Sequence, residues 1–271
     1  MTKQAIIRPR GPGRGIALAG RKIGQVLLFA LLASPSFPVQ ADCSVALDVG
    51  HFRARPGAIS ARGRTEFSFN LAQAVAIRRA LIARGCTVDL IGAGGDAEVL
   101  RARTALAASA GFFLSIHHDS VHADLLQSWR YEGRSLLYSD RFSGFSLFVS
   151  HENPDLTGSL VCASAIGEAL RGRGMSASRY HADPVLGEAR AFLDEANGVH
   201  AYDGLAVLRS ARQKAVLLEV GVLVNRADEL RLAKPEGREA IAAAVAEGVA
   251  RCLAEPAKIV PPQMPASPAL R

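Results

Sequence analysis

The sequence predicts an α/β fold: a mostly parallel, twisted sheet flanked by helices, built as a single domain. Two observations carry that prediction. Residues 44–116 alternate short continuous apolar runs with longer helical periods. A β-α-β-α-β order of this kind implies right-handed crossovers, parallel strands and helices on the sheet faces. In addition, the chain beyond a leader of 41 residues has 271 − 41 = 230 residues, enough for one sizeable core.

The elements follow in order. Ser44 to Asp48 is a short apolar run closed by Gly50, read as a buried strand. Thr65 stands at a helix N-cap, and the helix opens with Glu66 and runs to about Arg84. Phe67, Leu71, Ala74, Val75, Leu81 and Ile82 form its core side. Gly85 stops it, Cys86 to Ile91 is a second strand, Asp96 to Ala110 a second helix and Phe112 to Ile116 a third strand. Phe145 to Ser150 reads as a strand and Gly158 to Arg173 as a helix. Leu205 to Leu208 and Ala215 to Glu219 are further strands. A last helix starts at Pro235, a favourable first-turn residue, and stacks Ile241, Val245, Val249 and Cys252 on one face. Residues 119–142 and 174–204 are rich in Gly, Asp, His and Tyr and are expected to be long loops over one sheet edge.

The two ends of the chain differ from this middle. Residues 1–41 hold six basic and no acidic residues, an apolar run from Val26 to Ala33 and a small-x-small step at Val39-Gln40-Ala41, which is the form of a secretory signal peptide. Eight apolar residues are too few for a membrane span, which needs about 20. The expected location is therefore outside the cytoplasm, in a periplasm or secreted. Residues 256–271 are proline-rich with no periodicity and are expected to form an extended tail.

Removing the leader also changes the charge. The formal +7 rests on 32 basic and 25 acidic residues, so without the leader's six the balance is 26 against 25. The pI of 9.6 belongs mostly to the leader, and a nucleic-acid partner is excluded. Four cysteines in an oxidising compartment favour disulfides, with three possible connectivities. Cys43 and Cys86 begin neighbouring strands, while Cys162 and Cys252 lie on helices that can pack together. The favoured pairing is therefore Cys43 with Cys86 and Cys162 with Cys252.

Chemistry-bearing residues collect at the carboxyl ends of the strands, where open α/β sheets bind ligands. The first strand ends in Asp48-Val-Gly-His51, the third in His117-His118-Asp119 and the late one in Glu219, while Glu66 opens the helix after the first strand. Catalytic zinc sites commonly use two His and one carboxylate and keep a fourth position for water. His51, Glu66 and His117 supply that set, leaving Glu219 as the spare carboxylate for general acid/base work. The bland alternative for each residue alone is a surface polar group. Their joint placement at strand ends argues against it.

The segments LDVGHF (47–52), TEFSFNLAQAVA (65–76), FLSIHHDS (113–120) and LAVLRSARQKAVLLEVGVLVNRADEL (205–230) resemble the zinc-dependent N-acetylmuramoyl-L-alanine amidases of the type 3 family, over roughly residues 44–254. The resemblance implies one Zn2+ per chain on His51, Glu66 and His117, with Glu219 as the catalytic acid/base. The bond cut would be the amide between N-acetylmuramic acid and L-alanine, in peptidoglycan or muropeptides. It implies residues 42–255 as the catalytic domain of a monomer, with an activator protein as a candidate partner. His118, Asn225 and Arg53 are the candidate substrate contacts; Arg53 and Arg55 carry a planar donor fork suited to carboxylates. Phe52 to Pro56 depart from the glycines that often follow the first His in the family, and Val-Leu-Val precedes Asn225 where an aromatic and a serine are more usual. From their position between the His/Glu rim and the Glu219 strand, residues 174–204, or part of them, are expected to form a mobile cover with Gly187, Gly198 and Gly204 as hinges; by likeness to relatives with inhibitory helices, Glu188 or Glu195 would block the open metal position. His122, His151, His181 and His200 are expected at the surface. Two other readings stay open: another zinc peptidase or carboxypeptidase acting on cell-wall peptides, and a non-catalytic wall-binding protein. The last predicts loss of a ligand or base, and all four residues are present.

Overall fold

A computed structural model describes residues 43–254. The signal-peptide reading of residues 1–41 and the tail reading of 256–271 lie outside the described residues.

The first half follows the predicted alternation. Strand β1 (Ser44–Val49) leads to helix α1 (Glu66–Ile82), β2 (Thr87–Ile91), α2 (Leu100–Leu106) and β3 (Phe112–Asp119). β1 pairs in parallel with both β2 and β3. The second half comprises β4 (Gln127–Tyr131), β5 (Arg134–Tyr138), β6 (Ser146–Val149), α3 (Leu156–Gly172), β7 (Phe192–Asp194), β8 (Val199–Ala201), α4 (Ala206–Ser210), β9 (Lys214–Val222), α5 (Arg226–Ala233) and α6 (Pro235–Ala254). The seven-stranded sheet has the order β2-β1-β3-β9-β6-β8-β7. β9 is parallel to β3, whereas β6 runs antiparallel to β9. The mostly parallel sheet of the sequence reading is thus observed, with its mixed part at the β6–β8–β7 edge.

Both faces are covered, which is why the central strands read as unbroken apolar runs. Leu47, Leu114 and Leu218 point to a core shared with Ile77 of α1, Ile166 of α3 and Val245 of α6. Ala46, Phe113 and Leu217 face a smaller cluster with Val207 and Leu208 of α4. Ile241, Val245, Val249 and Cys252 are all buried, as their spacing predicts. Among the described residues, no helix is long and apolar enough to cross a membrane.

Four expectations are corrected. Leu205 to Leu208 is not a strand but the start of α4. Four apolar residues carry no usable period, and Asn153 Nδ2 donates to the carbonyls of Leu208, Ala211 and Gln213, holding the helix end and the turn after it. The predicted 96–110 helix shrinks to α2; ahead of it the Ala97 carbonyl accepts from the Arg103 guanidinium, and after it Ala108 and Ala110 N–H donate three residues back, to Ala105 and Ala107. On α1, Val75 and Ile82 are exposed while Phe69 and Ile77 are buried, since a helix apolar around much of its girth does not declare its inner face; Thr65 occupies the N-cap without a side-chain capping bond. The two unassigned segments also contain strands. β4 and β5 form a separate hairpin, anchored by Trp129 Nε1 donating to the Ala61 carbonyl at 2.9 Å. β7 and β8 extend the main sheet.

Both disulfides form as favoured, Cys43–Cys86 with Cα atoms 4.6 Å apart and Cys162–Cys252 at 5.0 Å. The second links α3 to α6 inside the core and closes a loop of 90 residues. Replacing Cys162 and Cys252 together by alanine is expected to lower stability by about 2–5 kcal/mol. Urea unfolding of the variant against the parent protein checks this; an unchanged midpoint would mean the bridge adds nothing.

Candidate metal centre

Three turns of chain bring the donors together. β1 ends beside β3, where Gly50 N–H donates to the Ile116 carbonyl at 3.0 Å, and the next residue, His51, adopts a left-handed φ of 65°. This uncommon backbone state turns its imidazole back over the strand ends. The loop after it returns to α1 through a double link between Ala58 and Glu66. Glu66 N–H donates to the Ala58 carbonyl at 2.8 Å, and Ala58 N–H donates to Glu66 Oε2 at 3.0 Å. β3 then delivers His117. His51 Nε2 lies 3.0 Å from Glu66 Oε2 and His117 Nδ1 lies 3.1 Å from Glu66 Oε1.

One donor atom from each of His51, Glu66 and His117 lies within 4.8 Å of the others, and the group could hold a metal ion. The fit is good in kind and in space. Two imidazoles and a carboxylate suit zinc, and ligands at about 2 Å in a tetrahedron stand about 3.3 Å apart, close to the observed contacts. Burial opposes the charge on Glu66, but hydrogen bonds from His117 and His51 hold its carboxyl well below the usual carboxylate range. It is an anion prepared for a cation.

Two glycines leave the room for this packing. A Cβ on Gly50 would stand 2.3 Å from His117 Nε2, and one on Gly57, whose φ is +78°, would stand 2.2 Å from Glu66 Oε2.

Behind the donors lies a second layer that the sequence reading missed. Asn70, one turn along α1 from Glu66, donates to Glu66 Oε1 at 3.2 Å and to the Gly50 carbonyl at 3.1 Å, and its Oδ1 sits 2.7 Å from His118 Nδ1. The i, i+4 spacing of Glu66 and Asn70 was the available signal. Arg103 is fully buried beneath β1. It reaches Asp48 Oδ1 at 2.8 Å and the carbonyls of Val49 and His51 at 2.5 Å each, while Ser115 Oγ donates to Asp48 Oδ2 at 2.7 Å. No local pattern in the sequence announces that pair.

Glu219 stands beside the donors. It is the register partner of His117 in the β3–β9 pair, so both side chains rise from the same sheet face. Its Oε2 is buried and has no protein hydrogen-bond partner. Burial, with the charges of Asp119, Glu66 and Glu188, raises its pKa well above the usual carboxylate range.

The candidate substrate contacts fare unequally. Arg53 is exposed, with its backbone N–H on the Gly95 carbonyl. His118 is only 2% exposed, burial lowers its pKa to about 3, and its Nδ1 lies against Asn70 Oδ1. Asn225 is buried as well: its Oδ1 caps α5 by accepting from Ala227 and Asp228 N–H, and its Nδ2 donates to the Phe142 carbonyl. Both side chains meet partners from distant segments, which local sequence does not announce.

Residues 174–204 do not put a carboxylate among the donors. His181 is buried between Asp119 Oδ2 at 2.7 Å and Glu188 Oε2 at 2.9 Å. Burial works against its charge, yet these two bonds push its pKa up to about 9. Glu188 is thereby occupied, and Glu195 pairs with Arg179 at 2.7 Å. The expectation of a blocking Glu is overturned, as is that of surface positions for His181 and His200, since His200 is wholly buried beside Phe148 and Phe192.

The comparisons agree with this geometry. Residues 45–251 match the family described as N-acetylmuramoyl-L-alanine amidase. No curated protein sequence matches the chain at a significant level. Among solved structures, it is similar to the N-acetylmuramyl-L-alanine amidase of Mycobacterium smegmatis, with TM-score 0.61 and 23% identity over 79% of this chain and 98% of that one. The N-acetylmuramoyl-L-alanine amidase of Clostridium difficile 630 gives TM-score 0.58 and 19% identity over 77% and 95%. The catalytic domain of the amidase CwlV from Bacillus (Paenibacillus) polymyxa gives 0.57 and 23% over 76% and 96%. At these identities the structural likeness shows the fold, while the family match spans most of the sequence. The chain belongs to the N-acetylmuramoyl-L-alanine amidase family.

Proposed function

We propose that the protein is a zinc hydrolase that cuts the amide between the lactyl carbonyl of N-acetylmuramic acid and L-alanine in peptidoglycan. The observation that carries this reading is the grouping of His51, Glu66 and His117 with Glu219 in register beside His117. His51, Glu66 and His117 would hold one Zn2+. When bound, the ion supplies a Lewis acid that polarises the amide carbonyl and acidifies water. Asn70 and the His118 N–H fix the Glu66 carboxylate for that task. Glu219 takes the proton of the attacking water and returns it to the departing alanine nitrogen. Its position in register beside His117 supports that role. Arg53, exposed on the loop after His51, would offer its planar donor fork to a stem-peptide carboxylate.

Export after loss of residues 1–41 belongs to the same proposal, supported by two disulfides of the kind that persist in oxidising compartments. A protein activator is supported by likeness alone: the CwlD amidase of Clostridioides difficile, similar in fold at TM-score 0.55, is solved in complex with the GerS lipoprotein.

The test is product analysis on purified muropeptides, with metal content measured on the same sample. About one zinc per chain is expected, with release of peptides bearing a free L-alanine amino group and loss of activity on chelation. Full turnover by metal-free protein would end the zinc reading. Release of a C-terminal amino acid in place of the whole peptide would make the enzyme a carboxypeptidase.

A further inference from the structure

β6 and β9 pair antiparallel with Ser146 opposite Glu219, Leu147 opposite Leu218 and Phe148 opposite Leu217. Directly opposed residues of an antiparallel pair project from the same face, with Cα atoms about 4.5–5.5 Å apart. Glu219 is therefore flanked on that face by His117 from β3 and by Ser146 from β6. Ser146 is 0% exposed. Its Oγ and the Oε2 of Glu219 are both buried, and neither has a protein hydrogen-bond partner. A buried hydroxyl without a partner destabilises a fold, and so does a buried carboxylate oxygen. Here two such atoms belong to directly opposed residues of one strand pair, one able to donate and the other to accept.

We propose that Ser146 is a positioning residue for Glu219: its hydroxyl donates to Glu219 Oε2 in the working enzyme and leaves Oε1 to exchange the proton of the reaction. The inference rests on the reading of Glu219 as the acid/base. The Ser146 hydroxyl touches neither water nor amide. It holds the carboxylate in one rotamer while the proton is taken up and handed on, so its effect belongs in turnover and not in substrate binding.

The experiment compares the full chain with Ser146→Ala, Ser146→Thr, Glu219→Gln and the Ser146→Ala/Glu219→Gln double variant, reading kcat, KM and Tm on muropeptides. Ser146→Ala is expected to lower kcat by about 10- to 100-fold, the scale of one hydrogen bond to a charged group, with KM unchanged. Its Tm should stay within a few degrees of the parent's, because one side-chain hydrogen bond contributes only about 0.5–1.5 kcal/mol net. Ser146→Thr, which keeps a hydroxyl, should recover most of the turnover. In the Glu219→Gln background, Ser146→Ala should add no further loss. An unchanged kcat in Ser146→Ala, or an equal further loss in the double variant, overturns the inference, as does a fall in kcat that follows a fall in Tm. If Glu219→Gln itself keeps full turnover, it is the acid/base reading that fails. If that variant is inactive while Ser146→Ala is fully active, only the role of Ser146 is refuted.

Discussion

Glu219→Gln is expected to keep its zinc while amide cleavage falls by about 10²–10⁴-fold, the usual share of a positioned acid/base. The metal should stay because His51, Glu66 and His117 are untouched and the amide occupies the same volume as the carboxylate. Turnover should fall because the amide cannot accept the proton that Glu219 handles. His117→Ala makes the contrast. It removes one of three donors and leaves the Glu66 anion with fewer partners, so metal and activity should be lost together. The measurement is zinc content and amide cleavage on the same two preparations. A metal-free Glu219→Gln would make Glu219 a ligand, and a loaded, fully active one would move the acid/base role elsewhere.

The second large effect concerns stability. Arg103 and Asp48 have side chains only 1% exposed and form a buried ion pair beneath the candidate metal centre. Arg103→Met leaves the Asp48 carboxylate with Ser115 as its remaining side-chain partner and strips the guanidinium from the carbonyls of Val49, His51 and Ala97. Breaking one half of a buried pair costs about 3–5 kcal/mol, because the other charge stays in the interior uncompensated. Urea unfolding of Arg103→Met should show a loss of that size. Asp48→Leu/Arg103→Met, which removes both charges, should lose less than the two single losses combined. A loss under about 1 kcal/mol in the single variant would mean that water reaches Asp48 and the pair is not sealed. Because Arg103 also holds the His51 carbonyl, the same variant should bind metal more weakly.

The sequence by itself determined the α/β class, the order of the first five elements, the disulfide pairing and the four residues proposed to carry the chemistry. These are local properties. Strands buried on both faces show as apolar runs, and turns show as glycines; a parallel sheet then sends every strand's carboxyl end to one rim, which gathers His51, His117 and Glu219 without any knowledge of contacts. What only the tertiary structure decided is what each polar group touches. Arg103 looks like one more helix cation, yet it is buried under β1 by Asp48, 55 residues earlier. Asn225 caps α5 and reaches back to Phe142; His181 looks like a surface residue and is locked between Asp119 and Glu188. The antiparallel entry of β6, which sets Ser146 beside Glu219, follows from a long connection with no period to read. The physical reason is the same in each case. Burial of a polar side chain is costly without a partner, and for these residues that partner arrives from a distant part of the chain when the sheet closes.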